Sequence, residues 1–419
     1  MRFIRLIFLG LTVFYAVTTV AQQPGKSLPI WQVGQLDIHH INTGQGNATF
    51  IVFPDGTSLL VDAGAINPID WRTNKPRNIP VKPTNDRQAG EWIARYVRTS
   101  LRFKAEPVID YAIITHFHDD HMGSPSNVTK RGAGGYVLTG ITEVGEYIPI
   151  RKILDRGWPK YSYPRSFASD SMVANYRRFL NWQIQHKGLN VELFQAGRND
   201  QITFVEQPKL SQNYPVEVRN LAVNGEIWTK VRNETWSLFP NLTTLQPAEY
   251  PNENMCSIAF QIRYGAFDYF SGGDIQGVLQ FGSPPWHDVE TPIANVAGPV
   301  DVQLVDHHGY ADSENGTLLA SLRPRVLVVP AWASSHPGRD VLERILSAQS
   351  YTGERDVFAT NLQEEAKVAI RDLLPRLKSE SGHVVIRVQP GGESYQVLIL
   401  DDTNESFTVK AVHGPYRSQ

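Results

Sequence analysis

The residues best equipped for chemistry lie in one short stretch, Thr115-His116-Phe117-His118-Asp119-Asp120-His121. It packs three histidines and two aspartates into six residues, in the spacing H-x-H-x-D-H. In a tight turn, His116 and His118 can face one side, and Asp120 and His121 another. Imidazole and carboxylate suit Zn²⁺ and neighbouring borderline or hard ions. The spacing could therefore hold two ions that share a water. The plain alternative is a polar loop after a strand, but clustered imidazoles gain little stability without a metal or a charge partner. Asp120 is also placed to orient an attacking water.

Further candidates stand at the ends of other apolar runs. Asp274 follows Phe270-Ser-Gly-Gly, where a carboxylate could bridge two metals or orient one, and the glycines allow close backbone approach. His307 and His308 directly follow a run at Asp301–Val305. His307, nearer the strand end, is read as the metal ligand, with His308 lining the pocket beside Asn254 as a substrate contact. His336, just before a helix, could bind a substrate oxygen or donate a proton, or could be an ordinary loop residue. Asp62 and Gly64 close the run Leu59-Leu-Val-Asp-Ala-Gly and read as structural residues next to the site. His39 and His40 alternate along a strand and are read as structural.

The elements that must position these residues follow from hydrophobic period. Strands are expected at 36–41, 47–53 and 58–62, turned by Gly44-Gln-Gly46 and Pro54-Asp-Gly56. Residues 66–86 read as a surface loop. Trp92, Ile93, Tyr96, Val97 and Leu101 make one face of a helix over 88–103. The strand Tyr111–Ile114 then opens into the histidine stretch. Further strands are expected at 257–264, 266–270, 301–305 and 325–330, and a helix from 337 to 347. A second helix over about 363–377 broken near Pro375, then a hairpin at 383–388 and 395–400, close the chain. A helix is also read over 172–188. Open sheets place ligands at the carboxyl ends of their strands, where the candidate metal ligands fall.

The bulk figures bound the rest. The chain has 419 residues, is 41% hydrophobic and 20% charged, and carries a formal net charge of -2. That is an ordinary globular balance with no global signal for a polyanion partner. Arg2 and Arg5 precede an apolar run from Leu6 to Val20, and Thr19-Val20-Ala21 offers small residues for cleavage. Residues 1–21 are expected to be a signal peptide and 22–34 a linker, giving a secreted or periplasmic product free of the membrane. Residues 35–419 would form one domain, with an insertion at about 124–250 and a helix plus hairpin at about 361–402. Cys256, the only cysteine, lies in an apolar run and reads as a core residue. Between 151 and 187, basic residues interleave with Trp158, Tyr161, Tyr163, Tyr176 and Trp182. This pattern suits single-stranded nucleic acid but fits better a solvated helix face over core aromatics.

The H-x-H-x-D-H stretch resembles the signature of the metallo-β-lactamase superfamily. Several pieces are similar, in order, to the metallo-β-lactamase domain of ComEC-type proteins. They are Asn42-Thr-Gly-Gln-Gly-Asn47, Leu60-Val-Asp62-Ala-Gly64, the histidine stretch, Asn252–Ser257 leading to Gly273-Asp274, Val305-Asp-His307-His308-Gly309, and Ser335-His336-Pro337. They span roughly residues 36–345 apart from the middle. The resemblance implies an α/β fold, a four-layer αββα sandwich with metals at one sheet edge. It also implies Asp274 as bridging aspartate and His307 as the last second-site ligand. Asn42 and Asn47 stand where the family usually has aspartates. Asn254 stands near where enzymes with two full sites carry a histidine. An amide oxygen is a poorer zinc ligand than imidazole, so the first site is expected to be weaker or to prefer Mn²⁺ over Zn²⁺. No channel helices accompany the domain, so a DNA-uptake role does not carry over.

The expected function is an exported metal-dependent hydrolase, a phosphodiesterase or nuclease using a metal-activated hydroxide on a small-molecule or nucleic-acid phosphodiester. His116 and His118 would hold the first of one or two ions. Asp120, His121 and His307 would hold the second, with Asp274 between them. A lactone or β-lactam hydrolase and a non-catalytic binding module are the alternatives.

Overall fold

The computed structural model describes residues 22–67 and 80–419. The expected signal segment and most of the expected 66–86 loop lie outside them. The first sheet begins with β1 (Leu36–His40), β2 (Thr49–Val52), β3 (Ser58–Val61), β4 (Ile109–Ile114), β5 (Ile150–Asp155) and β6 (Asn190–Leu193). The second holds β7 (Val216–Val223), β8 (Glu226–Trp228), β9 (Thr235–Ser237), β10 (Ala259–Tyr264), β11 (Phe267–Ser271), β12 (Val302–Leu304), β13 (Val326–Val329), β14 (Asp356–Ala359) and β15 (Leu377–Ser379). The chain then returns to the first sheet with β16 (His383–Val388), β17 (Ser394–Leu400) and β18 (Val409–Arg417). Among the described residues both sheets have nine strands, ordered β18-β17-β16-β1-β2-β3-β4-β5-β6 and β15-β14-β13-β12-β11-β10-β7-β8-β9.

Each sheet is antiparallel on one side and parallel on the other. Strands β3 to β6 run parallel, as do β11 to β15. The central parallel strands β3, β4, β12 and β13 are buried on both faces, so they read as apolar runs, as Tyr111–Ile114 does. The inner faces of the two sheets, with Leu59, Val61, Ile113 and Leu154 opposite Phe260, Ile262, Val302 and Val328, make the central core. Helices cover both outer faces. On the first sheet lie α1 (Ala89–Ser100), α3 (Gly140–Tyr147) and α4 (Ser171–Lys187), packed on Phe50, Leu60, Ala112 and Ile153. On the second lie α5 (Glu290–Ala297), α6 (Gly316–Leu322), α7 (Arg339–Leu346) and α8 (Glu364–Ala369). The result is a four-layer αββα sandwich. Between β4 and α3 sits a single short turn of helix, α2 (Asp119–Met122).

α1 forms because Trp92, Ile93, Tyr96 and Val97 share one buried face, with Glu91 in the first turn and Arg98 in the last, each on the side the helix dipole favours. Residues 124–250 supply β5 and β6 to one sheet and β7 to β9 to the other. Leu28 and Trp31, within the segment read as a linker, are buried against the first sheet's outer core. Of the interleaved residues at 151–187, Tyr161 and Tyr176 are in that core and Arg156 is wholly buried. This part of the chain therefore presents no aromatic platform through those rings. Cys256 is free and buried, and burial pushes its thiol up to about 12. Among the described residues no helix is long and apolar enough to cross a membrane.

Candidate metal centre

The carboxyl ends of the parallel strands from both sheets meet at one edge, and the candidate residues gather there. Asp62 follows β3, the histidine stretch follows β4, Asp274 follows β11, His307 and His308 follow β12, and Trp332 and His336 follow β13. Two groups of donor atoms form, each with its ligand atoms within 4.8 Å of one another: His116, His118 and Asp274 in the first, and Asp120, His121, Asp274 and His308 in the second. Asp274 belongs to both. Its Oδ2 faces His116 Nε2 at 3.7 Å, and its Oδ1 faces His121 Nε2 at 3.0 Å and His308 Nε2 at 3.6 Å. His116 Nε2 lies 3.0 Å from His118 Nδ1, and His308 Nε2 lies 3.0 Å from Asp120 Oδ2.

The histidine stretch divides between the groups because its backbone changes course. The chain bends at His116 and Phe117 after β4, and His118, in extended conformation, begins α2, whose first turn carries Asp120 and His121. This turn is held tightly against the loop after β1. Asn47 N–H donates to the Asp120 carbonyl (2.8 Å), and Ala63 N–H donates to the His121 carbonyl (2.7 Å). A Cβ at Gly64 would lie 2.2 Å from the Asp120 carbonyl oxygen, and one at Gly46 2.1 Å from it. Only glycine permits this approach.

Asp62 touches neither group's open side but organises both. Its Oδ2 accepts from His121 Nδ1 at 2.8 Å, from Thr115 Oγ1 at 2.8 Å and from Asn47 Nδ2 at 3.1 Å. Its Oδ1 accepts the Thr115 N–H at 2.8 Å. The carboxylate thus holds the proton on His121 Nδ1 and leaves Nε2 free to face Asp274, the arrangement by which outer carboxylates orient metal-binding imidazoles. Asp62 adopts φ 62°, a left-handed conformation uncommon for a residue other than glycine. Trp332 Nε1 donates to Asp120 Oδ2 at 3.0 Å, and Glu253 accepts the Phe117 N–H at 2.7 Å between the first two histidines. The buried Arg156 holds Glu253 in turn. Thr115, Trp332, Glu253 and Arg156 are supporting residues without a sequence signal beyond their closeness to the strand ends.

The two adjacent histidines after β12 sit otherwise than expected. His308, read as pocket lining, joins the second group, and His307, read as the ligand, does not. Directly after Asp306 the chain takes left-handed conformations at His307 (φ 46°) and His308 (φ 55°), so nearness to the strand end does not decide which ring points inward. His308 Nδ1 lies 2.9 Å from the Pro330 carbonyl, which leaves Nε2 aimed at Asp120 and Asp274. His307 instead pairs Nδ1 with Asp312 at 2.6 Å and lies beside Asn254. His336 stacks on His308 with ring centroids 5.0 Å apart, and its Nδ1 is buried without a partner. His39 pairs with Tyr96 and His40 with Thr49, within the sandwich.

The electrostatics are those of interleaved cations and anions. Burial works against charge on His121, but Asp274, Asp120 and Asp62 outweigh it and raise its pKa well above the ordinary value. His308 goes up to about 9 against the same penalty, chiefly through Asp274. Burial likewise opposes charge on Asp120 and Asp274, but the histidines, His121 first, hold both carboxyls below the usual range. Burial and neighbouring imidazoles push His116 and His336 down, so both stay neutral. Buried imidazoles and carboxylates sharing one carboxylate form a donor set of the type that holds divalent ions.

No family model matches the chain, and no curated relative matches it. Solved structures that match include a candidate metal-dependent hydrolase from Parabacteroides distasonis, at 11% identity over 78% of this chain and 94% of that one, TM-score 0.35. Zn²⁺-bound PqqB from Methylobacterium extorquens matches at 11% identity over 67% and 75%, TM-score 0.30. The short form of human tRNase Z matches at 12% identity over 70% and 91%, TM-score 0.29. At these scores the likeness reaches neither the site nor the activity, which rest on the chain's own residues.

Proposed function

We propose that this chain is a metal-dependent hydrolase acting on phosphodiesters, with the ions held by His116, His118 and Asp274 on one side and Asp120, His121, Asp274 and His308 on the other. The observation that carries it is the single carboxylate, Asp274, facing imidazoles of both groups. Divalent ions bound there, Zn²⁺ or Mn²⁺, would polarise a substrate oxygen and lower the pKa of a water. The chain's own residues do the rest. Asp62 fixes the His121 ring, and Trp332 fixes Asp120 Oδ2, the carboxylate placed to orient the attacking water. His336, whose Nδ1 is buried without a protein partner, would bind a substrate oxygen through an N–H at that nitrogen. The choice of phosphodiester over carboxyl substrates is supported by the ComEC-like pieces; within 151–187 Tyr161 and Tyr176 are committed to the core, while Lys160, Arg165, Arg177 and Arg178 are exposed. The chain is further proposed to be exported after loss of residues 1–21, which N-terminal sequencing of the mature protein tests.

The test is hydrolysis of bis-p-nitrophenyl phosphate, a lactone and a β-lactam by one sample loaded with Zn²⁺ or Mn²⁺. Phosphodiester cleavage that is lost in His118→Ala and Asp120→Ala, with folding intact, is the expected result. Turnover of the carbonyl substrates alone would move the function to lactone or β-lactam hydrolysis. Silence on all three, with no metal retained after dialysis, would leave a binding module.

A further inference from the structure

The first donor group is short of nitrogen. It holds two imidazoles and the shared carboxylate, and Asn254, where the resemblance implies a third histidine, lies beside His307. His307, meanwhile, is left over by the second group and is built like a ligand. Its Nδ1 is held by the Asp312 carboxylate at 2.6 Å, which fixes the proton on Nδ1 and leaves the Nε2 lone pair for another partner. This is the same device that Asp62 applies to His121.

Nε2 of His307 lies outside the 4.8 Å set of the first group but beside its shared carboxylate. It lies 3.8 Å from Asp274 Oδ2, the oxygen that His116 Nε2 faces at 3.7 Å. It also lies 3.2 Å from the Asn254 amide nitrogen, while Asn254 Oδ1 is buried without any hydrogen-bond partner. In either orientation of that amide one end lacks a protein partner, an unusual state for a buried polar group. Asp312 is itself fixed, because its carbonyl accepts the N–H groups of Gly277 (2.9 Å) and Val278 (2.8 Å) from the segment just after Asp274.

We infer that His307 Nε2, held by Asp312, completes the first metal site in place of a third histidine, with the Asn254 amide turned so that its oxygen rather than its nitrogen lies beside that ring. His307 reaches the group from its open rim through Asp274 Oδ2, with its side chain 17% exposed. The resulting donors mix imidazole with two kinds of oxygen, a set suited to harder ions such as Mn²⁺ as well as to Zn²⁺. This inference rests on the metal-centre reading above.

Metal content by elemental analysis and Mn²⁺ and Zn²⁺ titration calorimetry on the full chain test it, with circular dichroism confirming that each variant folds. The wild type should hold two ions per chain. His307→Ala should hold one, and Asp312→Asn should bind the weaker of the two about 10- to 100-fold less tightly. Adding Asn254→His to His307→Ala should restore the second ion, a rescue that a merely structural role for His307 would not give. Two ions bound with unchanged affinity in folded His307→Ala would overturn the inference and leave the metal centre standing. A wild type that retains no ion would overturn both.

Discussion

Asp62 shows how a residue outside both donor groups can govern them. Replacing it with asparagine keeps the side-chain shape and a residue type that tolerates the left-handed conformation. What changes is one acceptor oxygen, which becomes a donor facing His121 Nδ1–H. Asp62→Asn should therefore weaken metal binding by about 10- to 100-fold with little change in folding, read by competition against a chelator of known affinity. Asp62 was legible as a strand-end aspartate beside a glycine. Its partner His121, with His116, His118 and Asp120, was legible because the whole set lies within six residues. The pair His307 and His308 was not resolved by sequence, because which ring turns inward depends on a left-handed turn that neither residue type announces. Nor did Asp312 or Trp332 stand out, since each acts on a histidine or aspartate brought near only by folding.

Among elements, β1 and β16 show what the sequence withheld. Each was legible as a strand, but their pairing joins residues 350 positions apart, and no local pattern carries that. The contact is fixed by Asp37 and Arg387, directly opposite in the antiparallel register, bonded through Nε to Oδ1 at 2.9 Å and through Nη2 to Oδ2 at 2.6 Å. Burial penalises the Asp37 charge, but Arg387 outweighs it and lowers the carboxyl to about 2. Because the folded value lies below the unfolded 3.8, the stabilisation is present above that pH and is lost as pH falls through about 2. Arg387→Met would strand a buried carboxylate, and should cost about 3–5 kcal/mol in denaturant melts at pH 7. The difference from wild type should shrink as pH approaches 2. The strand β15 and the helices α5 and α6 escaped the sequence reading, because none of them shows a clear hydrophobic period of its own.

At the scale of the molecule, the sandwich places the donors of one sheet against those of the other, so bound ions would link the two halves. Saturating metal at about 100 times its dissociation constant should add about 2.7 kcal/mol of stability. A thermal melt with and without a chelator reads this, and the chelator effect should vanish in Asp274→Ala, which removes the donor common to both groups. The broad α/β architecture was legible from apolar strands alternating with amphipathic segments. The allocation of residues 124–250 to both sheets was not, because nothing local marks where the chain crosses from β6 in one sheet to β7 in the other. The shared edge also sets an order of events during synthesis. His116, His118, Asp120 and His121 leave the ribosome together, but Asp274 and His308 follow more than a hundred residues later. A growing chain thus carries an exposed half-set of donors long before the other half exists. Selection among the metals of its surroundings would then fall to the finished sandwich, whose full donor set could refuse an ion that the bare segment would accept.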